Sequence, residues 1–62
     1  MRVIEYMNGV VLLEIPLIAG SGNEVFDLFM VKSPLSPREY GPYRKFEDAK
    51  NKFDVEVAAT SS

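Results

Sequence analysis

The chain of 62 residues contains no cysteine and no histidine. It therefore cannot form a disulfide, and it lacks the thiolate and imidazole ligands on which zinc and copper sites depend. The same absences remove the side chains that most often act as nucleophile or as general acid and base. We expect a protein that is not an enzyme and has no cofactor, and we assign no catalytic and no metal-binding residue.

Long apolar runs are also missing. The apolar runs, such as residues 10–13, are far too short for a bilayer, which a helix spans with about 20 residues. The start does not resemble a signal peptide, because Glu5 and Asn8 interrupt the stretch that follows Arg2. We expect no membrane contact and a cytoplasmic location, which the lack of cysteine also fits.

What the sequence does contain is typical of a folded chain, with 47% hydrophobic and 26% charged residues. We predict one small domain over residues 1–62, in which 58–62 form a frayed tail. The core of so short a chain rarely provides more than about 3–5 kcal/mol, and a disulfide, a metal or a partner subunit usually adds the rest. Because the first two are excluded, we expect a homodimer.

The net charge of −2 and the pI near 4.9 disfavour non-specific binding to nucleic acid. The charge is uneven, however. Residues 1–31 carry one basic and four acidic side chains, whereas residues 32–62 carry six basic and five acidic ones. The basic groups are concentrated in residues 38–52.

The first structural signal is a β-hairpin. Residues 2–7 and 10–15 are rich in β-branched and apolar side chains, and Asn8-Gly9 lies between them. Asn-Gly favours a type I′ turn, since both central residues of that turn need positive φ angles. Pro16 is predicted to end the ladder or to lie at its edge.

The second strand of this hairpin does not alternate, because residues 10–13 and Ile15 are all apolar. A strand that is apolar on both sides is usually covered on both sides. One helix covers only one of them, so the other side is expected to need a second layer, such as a second subunit. The alternative is that these side chains simply remain exposed.

The rest of the chain is less definite. Residues 20–23 predict a turn, and residues 25–32 predict a strand, with a helix capped by Asn23 as the alternative. Residues 33–43 contain three prolines and predict a stiff loop.

A short helix is predicted for residues 44–52, with Phe46, Ala49 and Phe53 on one side. Residues 54–57 alternate and predict a final strand, although a continued helix would place Val57 beside Phe53. The predicted fold is α+β: a small antiparallel sheet, made of the N-terminal hairpin and one or two further strands, with one short C-terminal helix packed on one face.

The candidate partner-binding site consists of Arg38, Tyr40, Tyr43 and Arg44. Tyrosine and arginine are enriched at binding hot spots because both combine a large contact area with hydrogen bonding. The alternative is that the two tyrosines cover the core while the arginines are solvated.

The function predicted from these residues is that of an interaction module, an inhibitor or adaptor that binds a larger protein and self-associates. Proteins of this size are common among phage- and plasmid-encoded factors. One alternative is a module that binds single-stranded nucleic acid through a set of basic and aromatic side chains: Arg38, Tyr40, Tyr43, Arg44, Lys45, Lys50 and Lys52. A second alternative is a structural subunit of a homo-oligomer.

Overall fold

The computed structural model of the protein describes residues 2–19 and 24–61. Its elements are β1 (Arg2–Met7), β2 (Val10–Ala19), β3 (Glu24–Lys32), β4 (Tyr40–Tyr43) and α1 (Phe46–Thr60). The strands form one antiparallel sheet in the order β1-β2-β3-β4, and α1 packs against one face of it. The predicted α+β fold is confirmed. The turn predicted for residues 20–23 lies outside the described residues.

The predicted hairpin joins β1 to β2. Asn8 and Gly9 have φ angles of 55° and 84°, as a type I′ turn requires, and Met7 pairs with Val10 across the turn. β1 contains a bulge between Val3 and Glu5. Ile4, the residue inside this bulge, packs against the core beneath the helix.

The core lies between the sheet and α1. Paired residues of antiparallel strands share a face, so Leu12 and Val31, which are partners, both face the helix. From α1, Ala49 and Phe53 close the core one helical turn apart. All the core side chains are at most 9% exposed: Val10, Leu12, Phe29, Val31, Ala49 and Phe53.

The strand predicted for residues 54–57 is wrong, because α1 continues through them to Thr60. The helical continuation places Val57 one turn after Phe53, where it packs against the core. That contact outweighs the local alternation of polar and apolar residues. The helix also includes residues 58–60 of the expected frayed tail, and the Thr60 hydroxyl donates a hydrogen bond to the Val57 carbonyl at 2.7 Å.

The strand interpretation of residues 25–32 is confirmed by β3, and the stiff loop is shorter than predicted. Its last part, Tyr40–Tyr43, forms the edge strand β4 although it contains Pro42. Proline is tolerated there because an edge strand needs partners on one side only, and the register shifts locally between Phe29 and Val31 of β3.

β2 and β3 extend well beyond the rest of the sheet. β1 pairs with β2 only as far as Glu14, and β4 pairs with β3 only as far as Phe29. Residues 15–19 and 24–28 therefore form a two-stranded ribbon, which we call the arm. The arm includes Pro16, at a point where β2 pairs with a strand on one side only. Pro16 therefore lies at an edge of the sheet, which was one of the two positions predicted for it. The radius of gyration of 12.6 Å exceeds the value of about 11 Å expected for a compact chain of this length.

Candidate protein-interaction surface

The four residues of the predicted site have two different environments. Tyr40 and Tyr43 pair with Val31 and Phe29 and are half-buried against the core. Tyr40 is further covered by Lys52, whose Nζ lies 4.0 Å from the centre of its ring. The tyrosines therefore have the geometry of side chains that close the edge of the core.

The two arginines of the predicted site, Arg38 and Arg44, are exposed. The guanidinium carbon of Arg44 lies 5.7 Å from the centre of the Phe26 ring, within the range of a cation–π contact. Phe26 belongs to the arm, so Arg44 lies beside the arm, whereas the two tyrosines lie against the core.

Arg38 lines a shallow cleft of about 230 Å³ in the loop before β4. Several polar groups of this cleft have partners close by. Lys32 and Glu39 form an ion pair at 3.1 Å, and the hydroxyl oxygens of Ser33 and Ser36 accept hydrogen bonds from nearby backbone N–H groups. These contacts hold the loop in place, and the Arg38 guanidinium is exposed at the cleft.

A second surface is the side of the sheet opposite the helix, which we call the open face. Strand register places one row of side chains across three strands, Val3, Leu13 and Met30. Further rows of paired residues lie on both sides of this row, and together they extend the open face from Tyr6 towards the end of the arm. The apolar and aromatic side chains that register places on the open face are Val3, Tyr6, Val11, Leu13, Ile15, Leu17, Phe26, Leu28 and Met30.

Charged side chains are concentrated on the helix side of the sheet. There Arg2 pairs with Glu14 at 3.0 Å, and Glu5 pairs with Lys50 of α1. On the open side, Lys32 lies at the end of the Tyr6 row and is already paired with Glu39. The open face is therefore mainly apolar, with the Arg44 guanidinium lying over Phe26, and a surface of this kind marks protein interaction sites.

The arm is apolar on both of its sides. On the open side, Leu17 and Phe26 are partners, and both are exposed. On the other side, which faces the same way as the helix, Ile18 and Val25 are partners and are 67% and 61% exposed. Pro16 and Asp27 separate Ile18 and Val25 from the core, and no part of the described chain buries these two side chains.

Lys50 connects α1 to β1 and provides a pH-sensitive contact. Its hydrogen bond to the Glu5 carboxylate raises the pKa of Lys50 above its usual 10.5, and Asp54 at 3.3 Å adds to the effect. A group whose pKa rises on folding stabilises the protein below its unfolded pKa, and that contribution disappears as the pH rises through the folded pKa.

We expect the stability advantage of wild type over Lys50→Met to be constant near neutral pH and to shrink as the pH rises above 10.5. Urea unfolding of both proteins between about pH 7 and about pH 12 measures the difference. Adding about 1 M salt should also reduce it, because the contact is solvent-exposed. A difference that stays the same up to pH 12 would contradict the ion pair.

The sequence contained a signal for the open face, although the predicted site lay elsewhere. Residues 10–15 lack alternation, and Phe26, Leu28 and Met30 recur with the period of two that a strand requires. What the sequence could not show is which of the two apolar sides the single helix covers.

The described residues offer little support for other kinds of site. They contain no cluster of three or more acidic side chains placed to hold a metal ion. Within the same residues, no helix is long and apolar enough to cross a membrane. No protein-family model, curated protein or solved structure matches this chain.

Proposed function

We propose that the protein is a cytoplasmic, non-enzymatic interaction module, an inhibitor or adaptor that binds a larger protein through the arm. The observation that carries this proposal is the exposure of apolar side chains on both sides of the arm. A two-stranded ribbon is at best marginally stable by itself in water. An apolar pair such as Ile18 and Val25 therefore gains most when a partner covers it.

Besides its exposed apolar side chains, the arm has free strand edges and an arginine next to an aromatic ring, and both are features of protein-binding elements. Within the described residues, no further strand pairs with the outer edges of the arm, so its backbone groups can add to a partner's sheet. Arg44 lies over Phe26 and combines a charged group with an aromatic ring, the residue types that dominate binding energy at interfaces. Of the predicted site residues, Arg44 thus belongs to the proposed surface.

The single-strand nucleic-acid alternative has no comparable support. Tyr40 and Tyr43 were its stacking platforms, but both pack against the core, and Lys52 covers the ring of Tyr40. We therefore place the interaction on the arm and not on the loop before β4.

Affinity capture with the arm variant Ile18→Ser/Val25→Ser tests the proposal. The tagged wild type should retain a protein from a lysate of its source cells after nuclease treatment, and the variant should retain at least about tenfold less. Losing two buried aliphatic side chains costs an interface about 1.5–3 kcal/mol each.

Val55→Ser is the matched control, because Val55 is 58% exposed on α1 and lies outside the arm. It should retain the partner as wild type does. Equal recovery with both variants, each shown by circular dichroism to be folded, would exclude the arm. Loss of all captured material after nuclease treatment would favour nucleic acid instead.

A further inference from the structure

We infer that the arm takes up a strand of its partner along one edge only. This is the outer edge of β3 over residues 24–28, which we call the β3 edge, and the added strand places an acidic side chain beside Arg44. The inference rests on the proposed function and deepens it, because it names both the edge that binds and the chemistry of the segment that is bound. The directions of the backbone groups and the charge of Arg44 carry it.

The pairing of β3 with β4 shows which backbone groups of β3 point to its outer edge. The carbonyl oxygen of Phe29 is directed at β4, where it would lie 2.9 Å from a Cβ atom on Gly41. Successive residues of an antiparallel strand direct their N–H and C=O groups to opposite sides, so alternate residues share a direction. Val25 and Asp27 precede Phe29 at intervals of two, and β4 does not reach them. The β3 edge therefore offers the N–H and C=O groups of both residues to an added strand.

The opposite edge of the arm, on β2, offers fewer hydrogen bonds. Glu14 is the β2 partner of Phe29 and, like it, directs its backbone groups away from the ladder between these two strands. Pro16 and Ile18 follow Glu14 at intervals of two, so they share its direction towards the outer edge. Pro16 has no N–H group, and proline on an edge opposes the addition of a further strand. An incoming strand therefore finds better partners on the β3 edge.

The charge beside the β3 edge belongs to Arg44, the first residue after β4. Its guanidinium carbon lies 5.7 Å from the centre of the Phe26 ring, and it forms no ion pair with any side chain that the structure describes. Phe26 lies between Val25 and Asp27, on the open side of the arm. The residue of an added strand opposite Phe26 faces the same side, so a carboxylate there meets Arg44 and a cationic side chain there is repelled.

Asp27 restricts the bound segment further. It is exposed on the helix side of the arm, and it too has no ion-pair partner among the described side chains. A second copy of β3, paired about a two-fold axis across this edge, would bring the two Asp27 side chains opposite or diagonal to each other. Such like charges repel. The occupant that both charges favour is a segment of a different protein, with an acidic residue on the open side and none opposite Asp27.

A short synthetic peptide tests the chemistry of the edge. The probe alternates valine and threonine around one central glutamate, has blocked ends, and is added to isotope-labelled wild type up to about 5 mM. By NMR, the amides of Val25 and Asp27 should exchange their hydrogen at least about threefold more slowly with the peptide, while the Ile18 amide is unaffected. The same peptide with lysine in place of glutamate should bind at least about threefold more weakly, and Arg44→Glu should reverse this order.

Methylation of single backbone nitrogens in a chemically synthesised chain separates the two edges. It removes one donor of the β3 edge at Val25, and it removes a donor of the β2 edge at Ile18, which is the matched control. Both N–H groups point away from the ladder between β2 and β3, so both chains keep its hydrogen bonds. Methylation at Val25 should lower the affinity for the glutamate peptide at least about tenfold, and methylation at Ile18 should change it by less than about twofold. The exchange rates of the wild type decide the matter should either chain fail to fold.

Three results would overturn the inference: no effect of the glutamate peptide on Val25 and Asp27 up to about 5 mM, equal binding of the two peptides, or loss of binding on methylation of Ile18. So would a wild type that dimerises in sedimentation equilibrium with these two amides already protected, because the edge would then belong to a second copy. The proposed function is judged separately. If Ile18→Ser/Val25→Ser loses a captured partner and the peptide does not bind, the arm acts through its side chains and not through its edge.

Discussion

Replacing Phe53 by alanine should reduce the free energy of unfolding by about 3–5 kcal/mol, which is as much as the core of so small a domain usually provides. Phe53 is 2% exposed and is the largest fully buried side chain of the core. It fills the space between α1 and the two central strands, and Lys50 covers its ring with Nζ 4.9 Å from the ring centre. We therefore expect Phe53→Ala to be largely unfolded as a monomer at 25 °C.

Far-ultraviolet circular dichroism and urea unfolding at low protein concentration measure this effect without assistance from self-association. Val55→Ala is the control, because Val55 lies two residues further along α1 and is 58% exposed. It should change the free energy of unfolding by no more than about 0.5 kcal/mol. A cooperative transition of Phe53→Ala within about 1 kcal/mol of wild type would contradict the packing of α1 on the sheet.

The hairpin could be predicted from sequence because its determinants are local. Asn8 and Gly9 adopt positive φ angles at little cost, and few other residue pairs do so. The sequence was much less informative for residues 54–57, because Val55 and Val57 fit a strand by alternation, whereas Val57 also fits a helix by following Phe53 at a spacing of four. The choice depends on a contact between Val57 and the core, which the pattern of the segment alone does not contain.

The candidate binding site was harder to predict, because residue type, like local pattern, does not show which side chains the core will bury. Tyrosine and arginine are enriched at interfaces, but tyrosine also closes the edges of small cores, as Tyr40 and Tyr43 do here. Their residue types alone do not separate the two uses. The lack of alternation in β2 was the better guide to an uncovered apolar surface, because a chain with one helix leaves one side of an apolar strand uncovered.

The positions of Tyr40 and Tyr43 depend on the backbone conformation of Gly41. We therefore expect a substitution of Gly41 to lower the stability of the protein substantially. Gly41 has a φ angle of +116°, which residues with a side chain rarely adopt. A Cβ atom there would lie 2.9 Å from the carbonyl oxygen of Phe29 and 3.1 Å from the backbone nitrogen of Tyr43. Both are backbone atoms of paired strands, so neither can move aside without breaking the pairing of β3 with β4.

We expect Gly41→Ala to lower the free energy of unfolding by at least about 2 kcal/mol and to release β4 from β3 before the rest of the domain unfolds. Thermal unfolding measures the loss, and near-ultraviolet circular dichroism reports the tyrosines as they leave the core. D-alanine at position 41, in a chemically synthesised chain, is the control, because a D-residue tolerates positive φ. It should retain most of the stability that L-alanine loses, whereas an equally stable L-alanine variant would contradict the conformation of β4.

A released β4 would also withdraw Arg44 from Phe26, so binding through the arm should weaken in Gly41→Ala although no arm residue has changed.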